Sequence, residues 1–241
     1  ACSHNIPPYS GTGLAMSEDC LFLNIFSPAI DAKARPVLFW IHGGSYLYGS
    51  GNDYNGSNLS LQGDVVVVTI NYRLGLLGFA DFSSLGEEYA GSANNGIGDQ
   101  ITALKWVQEN ISQFGGDPNN VTIFGESAGG GSVLQILASP SADGLYHKAI
   151  SHSPSRIVFP SSNQASKLAD ALDLPIEELK KELSNIPTED LLRVQDQVGT
   201  SAGTFDGEIV IDQPPAVIKS RASTNVPLLI GTNKDEGTFF S

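Results

Sequence analysis

Gly125-Glu126-Ser127-Ala128-Gly129 lies between the apolar run Val121-Thr122-Ile123-Phe124 and a second one, Ser132-Val133-Leu134-Gln135-Ile136-Leu137. A G-x-S-x-G pattern at a strand-to-helix junction is a nucleophile elbow, whose tight turn strains the serine backbone and lifts the hydroxyl clear of the sheet. Gly125 and Gly129 fit that reading, because a Cβ at either position would collide with the neighbouring strand and helix. The helix after Ser127 aims its N-terminal amides at the reaction site, so the N–H of Ala128 can donate to an oxyanion. A serine hydroxyl is a poor nucleophile and needs a base, normally a histidine held by a carboxylate. The chemistry implied is acyl transfer, which with water as acceptor is hydrolysis.

The elements that must position Ser127 are legible on both sides. Val37-Leu38-Phe39-Trp40-Ile41 and Val65-Val66-Val67-Val68-Thr69-Ile70 are apolar on both faces, as buried parallel strands are. Leu21 to Phe26 alternates like a strand with one buried face. The first buried strand runs into His42-Gly43-Gly44-Ser45, where glycines leave N–H groups free to meet a developing negative oxygen. Residues 74–99 read as a long irregular excursion of the kind that rims a site. Ile101, Leu104, Val107, Ile111 and Phe114 form one helical stripe, stopped by Gly115-Gly116-Asp117-Pro118. Ala149-Ile150-Ser151 is a further buried strand, and amphipathic helices are predicted at Asn163 to Leu172, Pro175 to Asn185 and Thr188 to Val198. A last strand, Val226 to Thr232, leads to Asn233-Lys234-Asp235-Glu236-Gly237. Strands alternating with helices imply a mainly parallel sheet, with sites beyond the carboxyl ends of the strands. The oxyanion segment, Ser127 and Glu236 therefore fall on one predicted edge. One α/β domain spanning 1–241, with a helical insertion at about 163–198, is the economical organisation.

Composition excludes several classes. With 13 Lys+Arg against 26 Asp+Glu, the formal charge is −13, which repels phosphate backbones and anionic membranes. The longest apolar runs are strand length, too short to span a bilayer. Residues 1–16, rich in Pro, Ser and Gly, read as loop and lack the regions of a signal peptide. Cys2 and Cys20 could close a short loop worth about 3 kcal/mol or be two free thiols. Four Asn-x-Ser/Thr sequons, at Asn55, Asn58, Asn110 and Asn120, fit a secretory route.

Taken together the motifs resemble the type-B carboxylesterase/lipase family, to which the cholinesterases belong. Glu18-Asp19-Cys20-Leu21-Phe22-Leu23-Asn24 resembles its second signature, and Phe124 to Gly130 its serine signature. Asn71-Tyr72-Arg73, Gly98-Asp99-Gln100, Phe114 to Pro118 and Asp235-Glu236-Gly237 follow in the family's order. The resemblance implies an α/β-hydrolase fold and cleavage of uncharged carboxylic esters, small or lipid, through an acyl-enzyme, with no metal and no cofactor. It makes Ser127 the nucleophile and Glu236 the triad acid, with the oxyanion held by the N–H groups of Gly44, Ser45 and Ala128. It further implies a Cys2–Cys20 disulfide, a buried Arg73–Asp99 ion pair bracing the sheet, and a secreted or secretory-pathway location.

Two departures accompany the resemblance. Ser45 stands where many members carry a third glycine; a backbone N–H can still donate there, while the side chain narrows the site. The family order is serine, acid, then histidine, yet no histidine follows Glu236. Of the four present, His42 props the oxyanion segment, His147 lies in a turn before a strand, His4 is in a mobile N-terminus, and His152 at a strand end is nearest to a base. The expectation is that these 241 residues are the middle of a longer esterase. An inactive fragment, or a non-catalytic interaction module built on the same fold, is the alternative. Glu126 either tunes the site or packs beside it.

Overall fold

The computed structural model describes residues 1–4, 15–155, 163–200, 202–220 and 226–239, so 5–14 of the expected N-terminal loop lie outside the described residues. In chain order the elements are β1 (Leu23–Phe26), β2 (Arg35–Ile41), α1 (Ser57–Gly63), β3 (Val66–Ile70), α2 (Gly75–Phe79), α3 (Asn95–Asn110), β4 (Gly116–Glu126) and α4 (Ala128–Ala138). They continue with β5 (Lys148–His152), α5 (Gln164–Leu172), α6 (Ile176–Glu182), α7 (Thr188–Val198), α8 (Pro214–Ser220), β6 (Leu228–Gly231) and a 3-10 turn at Glu236–Phe239.

The six strands form one sheet in the order β1-β3-β2-β4-β5-β6. β1 pairs antiparallel with β3 and every other neighbour is parallel, in keeping with the mainly parallel sheet expected. All five residues of β3 are buried, so this strand is covered on both faces. β2 differs from the sequence expectation: Val37, Phe39 and Ile41 are buried, whereas Leu38 and Trp40 are half-buried. Its second face is thus only partly covered, by Tyr54 and Phe124 flanking the Trp40 ring at centroid distances of 5.0 and 4.8 Å.

The main core packs α3 and α4 on the sheet, with Phe39, Ile41, Val68, Ile123, Ile97, Leu104, Val133 and Ile136 at its centre. A separate apolar cluster joins the excursion to the later helices. Leu76, Ala80, Phe82 and Leu85 pack with Leu168, Leu179, Leu191 and Val194. Buried amides stitch the two segments together: the N–H of Leu76 donates to Gln195 Oε1 at 3.2 Å, and that of Asp81 to Gln164 Oε1 at 2.7 Å. Neither segment could bury its apolar face alone, which is why 74–85 is ordered rather than a free rim.

The structure corrects several boundaries. α3 begins at Asn95, not Ile101, because Ile97, Asp99 and Gln100 are buried against the core. Those buried polar residues and two glycines hide the helical stripe from a pattern of apolar spacing. α1 and α8 were not expected. Ser57 to Gly63 leaves Leu59 and Leu61 exposed, so its apolar residues mark no buried face. α8 begins at Pro214, followed by Pro215, residues tolerated in a first turn although they read as a break.

Candidate active site

Ser127 ends the run of β4 and caps α4, with φ 57° and ψ −118°. That conformation is costly for a residue with a Cβ, on the order of 1–3 kcal/mol, and persists only where its surroundings impose it. Here they do. The Ser127 N–H donates to the His152 carbonyl at 3.0 Å, and its own carbonyl accepts from Gly131 at 2.9 Å and Ser155 at 3.0 Å. A Cβ on Gly129 would stand 2.1 Å from the Ile41 carbonyl oxygen, and one on Gly125 would stand 2.5 Å from the Gly129 backbone. The elbow therefore lies in direct contact with the end of β2, as Gly125 pairs Ile41 in the sheet.

The segment after β2 turns back across this elbow. A Cβ on Gly43 would be 2.9 Å from the Glu126 carbonyl oxygen and 3.2 Å from Ser127 Cβ. Three consecutive residues then take left-handed backbone, Gly44 at φ 109°, Ser45 at 57° and Tyr46 at 61°. The Gly44 carbonyl accepts from Leu47 at 2.9 Å and Tyr48 at 3.1 Å, closing the turn. Among the described residues, the N–H groups of Gly44, Ser45 and Ala128 donate to no carbonyl or side chain. Donors left unpaired at such an edge are free for an anion. The Ser45 side chain is exposed beside them.

His42 is buried under this loop. Its Nδ1 lies 2.7 Å from the Gly43 carbonyl oxygen, and its ring stacks on Tyr72 at a centroid distance of 4.4 Å. The Tyr72 hydroxyl donates to the His42 carbonyl at 2.8 Å. Burial pushes the imidazole down to about 4, so it is neutral near pH 7, and Nδ1–H is the tautomer that suits the Gly43 oxygen.

Glu236 stands half-buried at the start of the 3-10 turn beyond β6. Its Oε2 accepts from the Asn233 N–H at 3.0 Å. The Ser153 hydroxyl and that N–H hold its carboxyl below the usual range. Glu126 is pushed the other way, first by desolvation and then by the charge of Glu236, while His152 opposes the shift. Ser127, Glu126, His152 and Glu236 thus gather at the carboxyl ends of β4, β5 and the turn after β6. Tyr46, Ser153 and Ser155 join them, and no sequence motif had marked those three.

The remaining histidines have other attachments. His147 Nδ1 accepts from the Val121 N–H at 3.2 Å, at the opposite ends of β4 and β5, and burial lowers its pKa. His4 is buried, with Nδ1 2.7 Å from the Cys2 carbonyl oxygen, and is not part of a loose terminus. The His152 side chain is exposed at the site's edge.

Cys2 and Cys20 form a buried disulfide. Arg73 pairs with Asp99 through two bonds, Nε to Oδ2 at 2.8 Å and Nη2 to Oδ1 at 2.7 Å, and its N–H adds a third to Oδ2 at 3.0 Å. The pair is only half buried, contrary to the sequence expectation: the Asp99 side chain is 6% exposed and that of Arg73 37%. Among the described residues no cluster of His, Cys, Asp or Glu could hold a metal ion, and no helix is long and apolar enough to cross a membrane.

The chain is similar to known proteins over most of its length. A family profile described as the carboxylesterase family matches residues 1–241. The para-nitrobenzyl esterase of Bacillus subtilis is 45% identical over 238 residues, covering 93% of this chain and 48% of its own length. A pyrethroid hydrolase of Rattus norvegicus is 42% identical over 237 residues, covering 94% of this chain and 41% of its own. The crystal structure of a Geobacillus stearothermophilus carboxylesterase superimposes with a TM-score of 0.87 at 44% identity, over 93% of this chain and 51% of that one. The chain thus spans about half the length of the relatives it matches.

Proposed function

This chain belongs to the carboxylesterase family, with its α/β-hydrolase fold, and from that premise we propose that the protein is a serine hydrolase of carboxylic esters. Ser127 would attack the ester carbonyl, forming a tetrahedral intermediate whose oxygen takes hydrogen bonds from the N–H groups of Gly44, Ser45 and Ala128. Its proton would pass to a histidine base and on to the departing alcohol, leaving an acyl-serine that water hydrolyses by the same path. Glu236 would orient that base and stabilise it when charged, and the hydrogen bonds that keep its carboxyl ionised suit the role. We assign the base to a histidine of the longer protein, in keeping with the family's order of serine, acid, then histidine; within this chain His4, His42 and His147 are engaged elsewhere and His152 alone is exposed at the site's edge. Arg73–Asp99 is read as a brace between the end of β3 and α3. Residues 1–241 are read as one α/β unit carrying 163–198 as an insertion.

The observation that carries the reading is the left-handed Ser127 at the tip of β4, with the segment after β2 crossing it at Gly43, where an added Cβ would be 3.2 Å from Ser127 Cβ. A buried disulfide favours the secretory route, where such bonds persist, and the exposed Asn55 and Asn58 are the sequons open to glycosylation. The length of acyl chain, esterase against lipase, is a matter for substrate profiling. The decisive experiment measures hydrolysis of a short-chain aryl ester by the full gene product and by Ser127→Ala. A drop of roughly 10⁵-fold or more in kcat with unchanged melting temperature is expected. Turnover undiminished by the substitution refutes the reading, and a folded full gene product with no turnover favours the non-catalytic module.

A further inference from the structure

Three left-handed residues in a row, two of them with side chains, do not hold themselves in place. Gly44 and Ser45 carry two of the three N–H groups assigned to the oxyanion, while the third, on Ala128, belongs to α4. A fixed distance between loop and helix is therefore a requirement of the chemistry, and the residue that spans the gap is Tyr46.

Tyr46 is attached in three directions. Its backbone carbonyl accepts from the Gly75 N–H at 2.8 Å. Its ring packs on Phe79 at a centroid distance of 4.8 Å. Its hydroxyl reaches over the first turns of α4, where a Cβ on Gly131 would lie 2.6 Å from it, and accepts from Gln135 Nε2 at 3.2 Å. Tyr46 and Gln135 are both buried. Burial pushes the phenol up to about 12 although Ser132, Ser155 and Gln135 pull it back, so it stays protonated. Two of those neighbours lead back to the elbow: Ser132 lies on α4 and accepts from Gln100 Nε2 at 3.1 Å, and the Ser155 N–H donates to the Ser127 carbonyl at 3.0 Å.

We propose that the Tyr46 hydroxyl is a positioning group for ester hydrolysis, a polar cross-link that fixes the Gly44 and Ser45 donors relative to Ala128 and Ser127. The inference rests on the esterase reading above. A phenylalanine would keep the ring contact and the backbone bond and lose only the cross-link, so the hydroxyl can be removed with the fold intact. Because the intermediate's oxygen needs all three donors at once and a bound ester does not, the loss falls on kcat rather than KM.

The test uses the full gene product with an aryl ester, comparing wild type, Tyr46→Phe, Gln135→Leu and Ser127→Ala. Tyr46→Phe is expected to lower kcat on the order of tenfold with KM within about twofold. Affinity for a trifluoromethyl ketone, which forms the same oxyanion, should weaken in parallel. Gln135→Leu, which removes the donor from the helix side, should do the same, and combining the two should add little to either alone. A purely structural tyrosine would change the melting temperature while leaving kcat per titrated active site and ketone affinity at wild-type values. That result in both single variants overturns the proposal while serine dependence leaves the esterase reading standing. Turnover that survives Ser127→Ala overturns both.

Discussion

The two sides of the site are held by different kinds of force. On the nucleophile side, β2, β4 and α4 meet so closely that Gly129 sits where a Cβ would be 2.1 Å from the Ile41 carbonyl oxygen. Ser127 is fixed there by packing and three backbone bonds. On the Glu236 side, the carboxylate follows β6, whose four residues are all exposed within residues 1–241, Leu229 by 57% and Ile230 by 54%. The Glu236 carboxyl is placed by Asn233 and Ser153, polar contacts at the sheet's edge. The Ser153 N–H ties this edge to the rest through the Gly231 carbonyl at 2.7 Å. The difference teaches that the geometry at Ser127 follows from backbone packed on backbone, while within residues 1–241 that at Glu236 follows from polar contacts to Asn233 and Ser153.

Substitutions on the two sides should therefore separate activity from stability. Glu236→Gln is expected to cost about 10³ to 10⁴ in kcat of the full gene product, because the base loses its orienting charge. Its chemical unfolding midpoint should stay near wild type, and a large fall in stability would break the comparison. Gly129→Ala should do the reverse first, destabilising by about 3–5 kcal/mol in equilibrium unfolding, since no side chain can move out of the way of two backbones. A near-neutral Gly129→Ala would mean that the elbow is soft.

A pH experiment sharpens the same contrast. His42 titrates ordinarily at 6.5 when unfolded and at about 4 when folded. Below pH 6.5 the unfolded chain takes up a proton that the folded chain refuses. Stability is therefore full above pH 6.5 and falls by up to about 3 kcal/mol as pH drops to 4. His42→Asn, whose amide can keep the bond to the Gly43 oxygen, should flatten that part of the curve. An unchanged acid slope would place the loss elsewhere. The smallest effect is expected at Ser153, whose hydroxyl helps to lower the Glu236 pKa. That lowered pKa means the Glu236 carboxyl stays charged, and keeps any stabilising contacts, down past the usual carboxylate range. Ser153→Ala should raise that pKa and shift the acid limb of kcat upward, with little change in the plateau.

The elbow and the sheet were legible because their signals are local. An apolar run, a glycine-bracketed serine and a second apolar run specify strand, turn and helix within a single short stretch. Arg73 with Asp99 was legible by resemblance alone, whereas Cys2 with Cys20 was one of two readings of the cysteines that the resemblance favoured; both pairs are joined in the fold. What stayed hidden depends on partners far along the chain. The start of α3 is buried by contacts its own spacing does not reveal, and the burial of His4 has no counterpart in a loop-like terminus. The exposure of Arg73 follows from where β3 ends, not from the residue's type.

The sequence by itself determined the local turn at Ser127, because the glycines and apolar runs that flank it specify strand, turn and helix. It also determined which strands form, because short apolar or alternating runs bounded by turn residues specify them. Only the tertiary structure decided that 74–85 and the later helices share one core, since Gln195 must meet the Leu76 N–H across a separation of 119 residues. Only it decided that Tyr46 takes a left-handed backbone and that its hydroxyl accepts from Gln135 Nε2. A side chain's hydrogen-bond partner is set by where two elements cross, and a crossing is a property of no single stretch of residues.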